Sequence, residues 1–518
     1  MARGEMGWLN SVRKAAESDI VLLGAKVVAA GLVGYFDIAF LYVAISRMGY
    51  MFTLEWLEGA SLIAMRQLLA GHPLYVQPTF QYVPLIYSPL YYYVSALFAG
   101  IVGFGFLPLR LVSFLATLGC VALIYVIMKH ATADSYVSLM AAGSLLALYK
   151  ISDTWFDLAR VDMLAVFFTL LAVYLMQRRS TLRLVLAGIA FSLAALTKQT
   201  YWIPVPAMCL YAFFLHGRKG WLVAGSVLVV SVPAHLILNR LFQGWYSFFV
   251  YAAGFGQAST IFSGGLVHFF SGYWVESVLK VIPILFALFV VSFDLTFRGR
   301  RETLAALALA GGMVLLSWLG ILNKGGYNNV LIPSYIIFLI GAWLAIGTVL
   351  KDPAASNAAR SGLLILISVQ LGLLWYPVAR QIPTASDFKA GRAILQDIRS
   401  QPGDVYVPFE NYLALYAGKT PFAGFGSLGD LNQLPGGIGK PEWNRINAEL
   451  RDRIRSQNFS VIILDQNADW GSAQKYYDTY YQATPIQYNQ GEFFPVAGWQ
   501  IRPGFWYTPI RSSSSTVP

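Results

Sequence analysis

The sequence predicts a polytopic α-helical membrane protein carrying a small C-terminal soluble α/β domain, and three observations predict it. Of its 518 residues, 57% are hydrophobic and only 12% are charged, where an ordinary soluble chain carries about a quarter of its residues as Asp, Glu, Lys or Arg. Apolar runs recur through the first three quarters and approach the ~20 residues that span a hydrocarbon core. From Arg380 onward the composition turns polar and aromatic. A conventional multi-domain soluble enzyme is excluded. The expected division is a transmembrane part, 1–379, and an extracytoplasmic C-terminal part, 380–518.

The candidate spans are 20–46, 109–128, 136–149, 161–176, 182–196, 203–215, 221–238, 278–291, 304–322, 330–350 and 363–378, with 88–106 competing for a place. Net charge is +11, and from Arg380 to the end 13 basic residues face 12 acidic ones, so the excess lies in the membrane part. Much of it sits in short loops at Lys129-His130, Arg178-Arg179, Arg218-Lys219 and Arg298-Gly299-Arg300-Arg301. That is the positive-inside pattern of a membrane protein and not a nucleic-acid footprint. With Lys129 inside, only one of 88–106 and 109–128 can cross. Pro89, the run Tyr91-Tyr92-Tyr93 and the glycines at 100, 103 and 105 mark 88–106 as the interfacial or re-entrant one, since tyrosine belts lie at headgroup level. About eleven spans result, with residues 1–19 inside and the C-terminal part outside. The first apolar segment, lacking a cleavable pattern, is read as an anchor.

Within the C-terminal part, 387–400 has helical patterning, 405–408 and 460–464 read as short strands, and 512–515 reads as a disordered tail. Aromatic stretches at 475–481 and 504–507 fit either carbohydrate stacking or packing against the membrane. Cys120 and Cys209 both lie in apolar runs and are expected to be packing residues.

Several polar groups on the outer side carry chemistry. In a helix Glu55 and Glu58 share a face, which fits either a solvated acidic face or two carboxylates held at the membrane surface for a reaction. The next outer loop brings Asp153, Asp157, Arg160 and Asp162, where a local pair of Arg160 with Asp157 or Asp162 competes with a catalytic or metal role. Converging carboxylates of this kind are able to deprotonate an acceptor hydroxyl or to bind Mg²⁺ or Mn²⁺. Lys198 and Lys324 defy the positive-inside trend and would suit an anionic lipid phosphate, with headgroup snorkelling as the plain alternative. His72 and His268 lack partners at metal-ligand spacing. Asp37, deep in the first span, needs a partner that the sequence does not reveal.

Three local features resemble a known group. The run Glu55-Trp56-Leu57-Glu58-Gly59 leading to Leu68-Leu69-Ala70-Gly71, the segment Tyr87-Ser88-Pro89-Leu90-Tyr91-Tyr92, and Ala159-Arg160-Val161-Asp162 with the later Leu196-Thr197-Lys198 together resemble the GT-C-type integral-membrane glycosyltransferases, of the protein O-mannosyltransferase-like and aminoarabinose-transferase-like kind. The resemblance covers roughly 20–238. It implies two juxtamembrane helices in the first outer loop, and inverting transfer of a sugar from a polyprenyl-phosphate-linked donor to a lipid, glycan or protein acceptor at the outer face, in a bacterial inner membrane. Of the two acids, Glu58 is favoured as base because it stands beside a glycine, with Glu55 the alternative. Lys198, Arg160 and Lys324, or a metal on Asp153, Asp157 and Asp162, would stabilise the leaving phosphate. Tyr87, Pro89 and Tyr91 would line a groove for the prenyl chain. The competing readings are a transporter or flippase for a lipid-linked or anionic solute, and a surface-polysaccharide polymerase or ligase.

Overall fold

The computed structural model describes residues 17–252, 270–297, 299–321 and 326–510. Helix α1 (Asp19–Met48) starts where Ser18 accepts a hydrogen bond from the Ile20 N–H, and Gly49 follows its last turn. The chain then turns through α2 (Glu58–Leu69) and α3 (Leu90–Val102), two short helices of 12 and 13 residues. Two short helices were expected in this segment between the first two long ones, and two are present. At ~1.5 Å per residue α3 is about 20 Å long, too short to cross a ~30 Å core. Helix α4 (Phe106–Thr132) is long and apolar enough to cross, and α5 (Ser135–Ala147), capped by Asp134, follows it. Next come α6 (Asp162–Met176) and α7 (Thr181–Thr197).

Among the described residues, five helical stretches are long and apolar enough to span: Asp19–Met48, Phe106–Thr132, Gln199–Leu241, Arg300–Ile321 and Asn328–Lys351. Two bent pairs, Ser271–Leu279 with Pro283–Thr296 and Asn357–Leu373 with Val378–Ser400, meet the same standard together. The chain is therefore a multi-pass integral membrane protein. Three of the expected spans are helices of only 13 to 17 residues, α5, α6 and α7. They are apolar because most of their faces are covered by neighbouring helices, α5 being buried on nearly every side. Asp37 of α1 faces Gly143 of α5, whose missing side chain makes room for it. Cys120 and Cys209 are both buried.

The C-terminal part opens with the helix Ala385–Ser400, entered through a capping box in which Thr384 and Asp387 each bond the other's backbone. A four-stranded sheet follows, in the order β1-β2-β4-β3. Its strands are β1 (Asp404–Tyr406), β2 (Phe459–Gln466), β3 (Tyr481–Pro485) and β4 (Arg502–Pro509). Strands β1 and β2 run parallel and the other pairs antiparallel. The expected strand at 460–464 lies inside β2, whose apolar run Val461-Ile462-Ile463-Leu464 is buried. Residues 475–481 and 504–507 fall in a helix (Gly471–Tyr480) and in β4, with Tyr477, Tyr481 and Tyr507 buried in the interior.

This part sits on the segment between α1 and α4. The Ala497 N–H donates to the Leu54 carbonyl (3.0 Å), and the Ala423 N–H donates to the Phe80 carbonyl (2.8 Å). Rings interlock beside them: Phe52 with Phe493 at 5.2 Å, Phe80 with Phe422 at 4.8 Å and Trp56 with Trp499 at 5.9 Å between centroids. Short helix α8 (Phe425–Asn432) lies against the same loop. A Cβ at Gly426 would come within 2.5 Å of Leu57 Cδ2 and 3.3 Å of Trp56 Cζ3, so only glycine allows this approach.

Inside the C-terminal part Glu410 and Asp465 are both buried. Burial, and for Asp465 the neighbouring Glu410 charge, pushes both carboxyls above the usual range. A raised folded-state pKa contributes stability that is complete below the unfolded value, about 4, and is lost as pH rises past it. The full-length protein in detergent should therefore melt at lower temperature at pH 8 than at pH 5. In Glu410→Gln that pH slope should be shallower, and parallel slopes would contradict the assignment.

Candidate active site

The two glutamates of the first loop, three residues apart, have opposite surroundings. Glu58 opens α2 and is fully buried. Its Oε1 accepts from Arg110 Nε (3.1 Å) and the Ala159 N–H (2.7 Å). Its Oε2 accepts from Arg110 Nη2 (2.7 Å) and the Leu54 N–H (2.7 Å). Burial works to raise its pKa, but Arg110 and the two backbone donors outweigh it and hold the carboxyl below the usual value. Arg110 is equally occupied, donating also to the carbonyls of Arg47, Tyr50 and Phe52. The pair is a knot joining the end of α1, the loop, α4 and the Ala159 segment.

Glu55 is just as buried but carries far fewer bonds. Its Oε2 accepts from the Leu57 N–H (3.1 Å) and lies 3.5 Å from Arg160 Nη1. Its Oε1 has no partner among the described residues. Burial raises its pKa to about 7, with Arg160 pulling the other way. The C-terminal part roofs it: Glu55 bridges to Ala497, and Gly498, at φ +70°, leaves room for the Glu55 side chain, whose Cγ would be 3.0 Å from a Cβ there.

Arg160 lies between the rings of Tyr87 and Trp155, 5.4 Å from each centroid, and its Nη2 donates to the Tyr87 hydroxyl (3.0 Å). Beside it Asp162, at the start of α6, accepts from Lys198 Nζ (2.7 Å), Asn329 Nδ2 (2.9 Å) and Trp155 Nε1 (2.9 Å). Lys198 ends α7 in extended backbone and keeps part of its side chain exposed. Glu55, Arg160, Asp162, Lys198 and Tyr87 thus form one cluster at the start of α6 and the end of α7.

The local pairing expected for Arg160 is not the one formed. Asp157 turns away to a two-point bond with Arg47, at 2.7 and 2.6 Å, reinforced by the Tyr149 hydroxyl at 3.0 Å. Asp162 takes Lys198, and Arg160 takes Glu55. The cause is local backbone: the single helical turn Trp155–Asp157 ends in extended backbone at Leu158 (φ −75°, ψ 159°), which parts Asp157 from Arg160, and Asp162 then opens α6. Asp153 is engaged by the Asn328 N–H at 2.9 Å. Asp153, Asp157 and Asp162, offered by the sequence as metal ligands, are therefore each committed to separate donors. Among the described residues no group of three or more His, Cys, Asp or Glu side chains is placed to hold a metal. This donor set does not fit a shared ion.

Tyr91, expected to line a lipid groove, is instead fully buried, donating to the Leu109 carbonyl (2.8 Å) and fixing α3 to α4. Pro89 is buried at the start of α3. His72 is exposed. Lys324 and His268 lie outside the described residues. Arg47 and Arg110, the counterions that decide which acids are free, were not singled out in the sequence. The available signal was their charge at the ends of apolar runs that the sequence reading places outside, where the positive-inside pattern expects few arginines.

Comparison with known proteins identifies the fold that carries these residues. Residues 84–239 match the family model described as dolichyl-phosphate-mannose-protein mannosyltransferase, less than a third of the chain. No curated protein matches the sequence. Among solved structures, ArnT from Cupriavidus metallidurans bound to undecaprenyl phosphate superposes with a TM-score of 0.57 at 13% identity, covering 92% of this chain and 98% of that one. The fold is that of a GT-C membrane glycosyltransferase. The same GT-C fold relates the chain to the archaeal oligosaccharyltransferase AglB from Archaeoglobus fulgidus, in complex with an inhibitory peptide and a dolichol-phosphate (TM-score 0.52, 13% identity, 95% of this chain and 75% of that one). The mycobacterial arabinofuranosyltransferase AftD also shares it (0.50, 13%, 93% and 40%).

Within this GT-C scaffold the two glutamates should separate by stability. Removing one partner of a buried, bonded ion pair costs about 3–5 kcal/mol. Thermal unfolding should show Glu58→Gln and Arg110→Ala strongly destabilised while Glu55→Gln melts close to the wild type. Equal losses in Glu55→Gln and Glu58→Gln would contradict the distinction.

Proposed function

We propose that the protein is an inverting glycosyltransferase moving a sugar from a polyprenyl-phosphate-linked donor to an acceptor hydroxyl at the outer face of a bacterial inner membrane. One observation carries the reading: a buried glutamate with one oxygen unpartnered among the described residues, its pKa raised to about 7, stands 3.5 Å from a buried guanidinium. A general base works best with a pKa near the operating pH. In this reading Glu55, and not Glu58, is the base, and Glu58 holds the loop that presents it.

Glu55 Oε1 takes the proton of the acceptor hydroxyl as that oxygen attacks the anomeric carbon. The bond from C1 to the phosphate oxygen breaks on the opposite face, which inverts the anomeric centre. The polyprenyl phosphate leaves with an added negative charge. Arg160, oriented by Tyr87 and Trp155, and Lys198, oriented by Asp162, are the cations available to stabilise that charge as it develops. Undecaprenyl phosphate in ArnT and dolichol-phosphate in AglB are lipid phosphates of this class, and they support the donor chemistry. The proposed layout has about eleven crossings, with 380–518 as an extracytoplasmic domain closing over the site. The transferred group is a hexosyl or pentosyl unit, identified by donor assay.

Purified protein in nanodiscs, given a panel of undecaprenyl-phosphate sugars and an acceptor extract, should release undecaprenyl phosphate from one donor. Glu55→Gln should lower kcat by about 10²–10⁴. Because the base must be ionised, kcat/KM should rise with pH and level off above about 7. Release that survives in Glu55→Gln, or that falls as pH rises through neutrality, would overturn the role of Glu55.

A further inference from the structure

Helix α8 carries an acid that the reaction described above does not use. Its buried residues are Ser427, Leu428 and Leu431, which face the C-terminal interior. Gly426 faces the other way, against Trp56 and Leu57 beside Glu55. Asp430 is four residues on and so shares the face of Gly426. That face looks onto the loop of Glu55.

Three further facts place Asp430 beside the cluster. Its charge interacts with Arg160, and it acts in turn on Tyr87. Burial pushes its carboxyl up to about 7, while the residue keeps part of its surface exposed. Yet among the described residues its side chain forms no ion pair, because Arg160 Nη1 is directed at Glu55 and Nη2 at the Tyr87 hydroxyl. A carboxylate so placed accepts hydrogen bonds from whatever enters the site.

The chemistry of the donor decides which part of it Asp430 meets. The lipid phosphate offers only acceptor oxygens and negative charge, so a carboxylate repels it. Sugar hydroxyls are donors, and a carboxylate with two free oxygens suits two neighbouring hydroxyls. With Arg160 and Lys198 on the phosphate side and Glu55 at the reacting oxygen, the position left for Asp430 is over the sugar ring.

We propose that Asp430, supplied by the C-terminal part, binds hydroxyl groups of the transferred sugar and so sets donor specificity. This rests on the glycosyl-transfer reading, and the test separates the two. Full-length wild type, Asp430→Asn, Asp430→Ala and Asp430→Glu in nanodiscs are compared for donor KM, acceptor KM, melting temperature and binding of undecaprenyl phosphate that carries no sugar. A lost hydrogen bond to a charged group predicts a donor KM raised at least about tenfold in Asp430→Asn and Asp430→Ala. Partial recovery is expected in Asp430→Glu. Acceptor KM, melting temperature and sugar-free undecaprenyl phosphate binding should match the wild type. Turnover with an unmoved donor KM in Asp430→Asn overturns the proposal alone. So does a matching loss of sugar-free undecaprenyl phosphate binding, which would mean that Asp430 acts on the phosphate through Arg160, or a change confined to acceptor KM. Wild-type protein that turns over no donor overturns the glycosyl-transfer reading and this proposal with it.

Discussion

The end of the molecule that carries the glutamate cluster depends on the ion pair of Glu58 with Arg110. Both side chains are fully buried at a separation of 2.7 Å, where an unpaired charge is very costly. Each also bonds backbone from segments far apart in the chain: Leu54 and Ala159 on the acid, Arg47, Tyr50 and Phe52 on the base. The pair therefore does more than neutralise itself. It sets where α1 ends, how the loop turns into α2, and where the Ala159 segment sits against both.

A loop fixed so firmly can present a second glutamate that is poorly satisfied. Glu55 has one backbone donor, one guanidinium at 3.5 Å and a free oxygen under the roof of Ala497 and Gly498. Burial without compensation raises a carboxyl's pKa, and burial with four donors lowers it. The same residue type in the same short segment thus takes two different protonation behaviours. The Arg47–Asp157 pair and the Lys198–Asp162 pair repeat the structural half of the pattern and hold Arg160 free to turn toward Glu55.

Much of this was legible in the sequence, and the limits have physical causes. Charge parity together with Tyr91-Tyr92-Tyr93 and the glycines after it predicted the short helix Leu90–Val102, since both signals are local. The amphipathic run after Thr384 and the apolar core of β2 were likewise read from local periodicity. The roles of individual acids were not readable because their counterions lie far along the chain: Arg110 is 52 residues from Glu58, and Arg47 is 110 from Asp157. Neighbours in sequence suggested Arg160 for Asp157 or Asp162, and the extended backbone at Leu158 parts Arg160 from Asp157 while Asp162 is taken by Lys198. Spacing beside a glycine favoured Glu58, whereas the distribution of donors singles out Glu55 as the free acid.

The most direct measurement is an infrared pH titration of the carboxyl bands of the full-length protein in nanodiscs, taken as the difference between wild type and Glu55→Gln. The account predicts a protonated glutamic acid band, present only in wild type, that disappears as pH rises through about 7. A difference spectrum with no carboxyl titrating near neutrality would contradict it, because Glu55 would then be ionised throughout and no freer than Glu58.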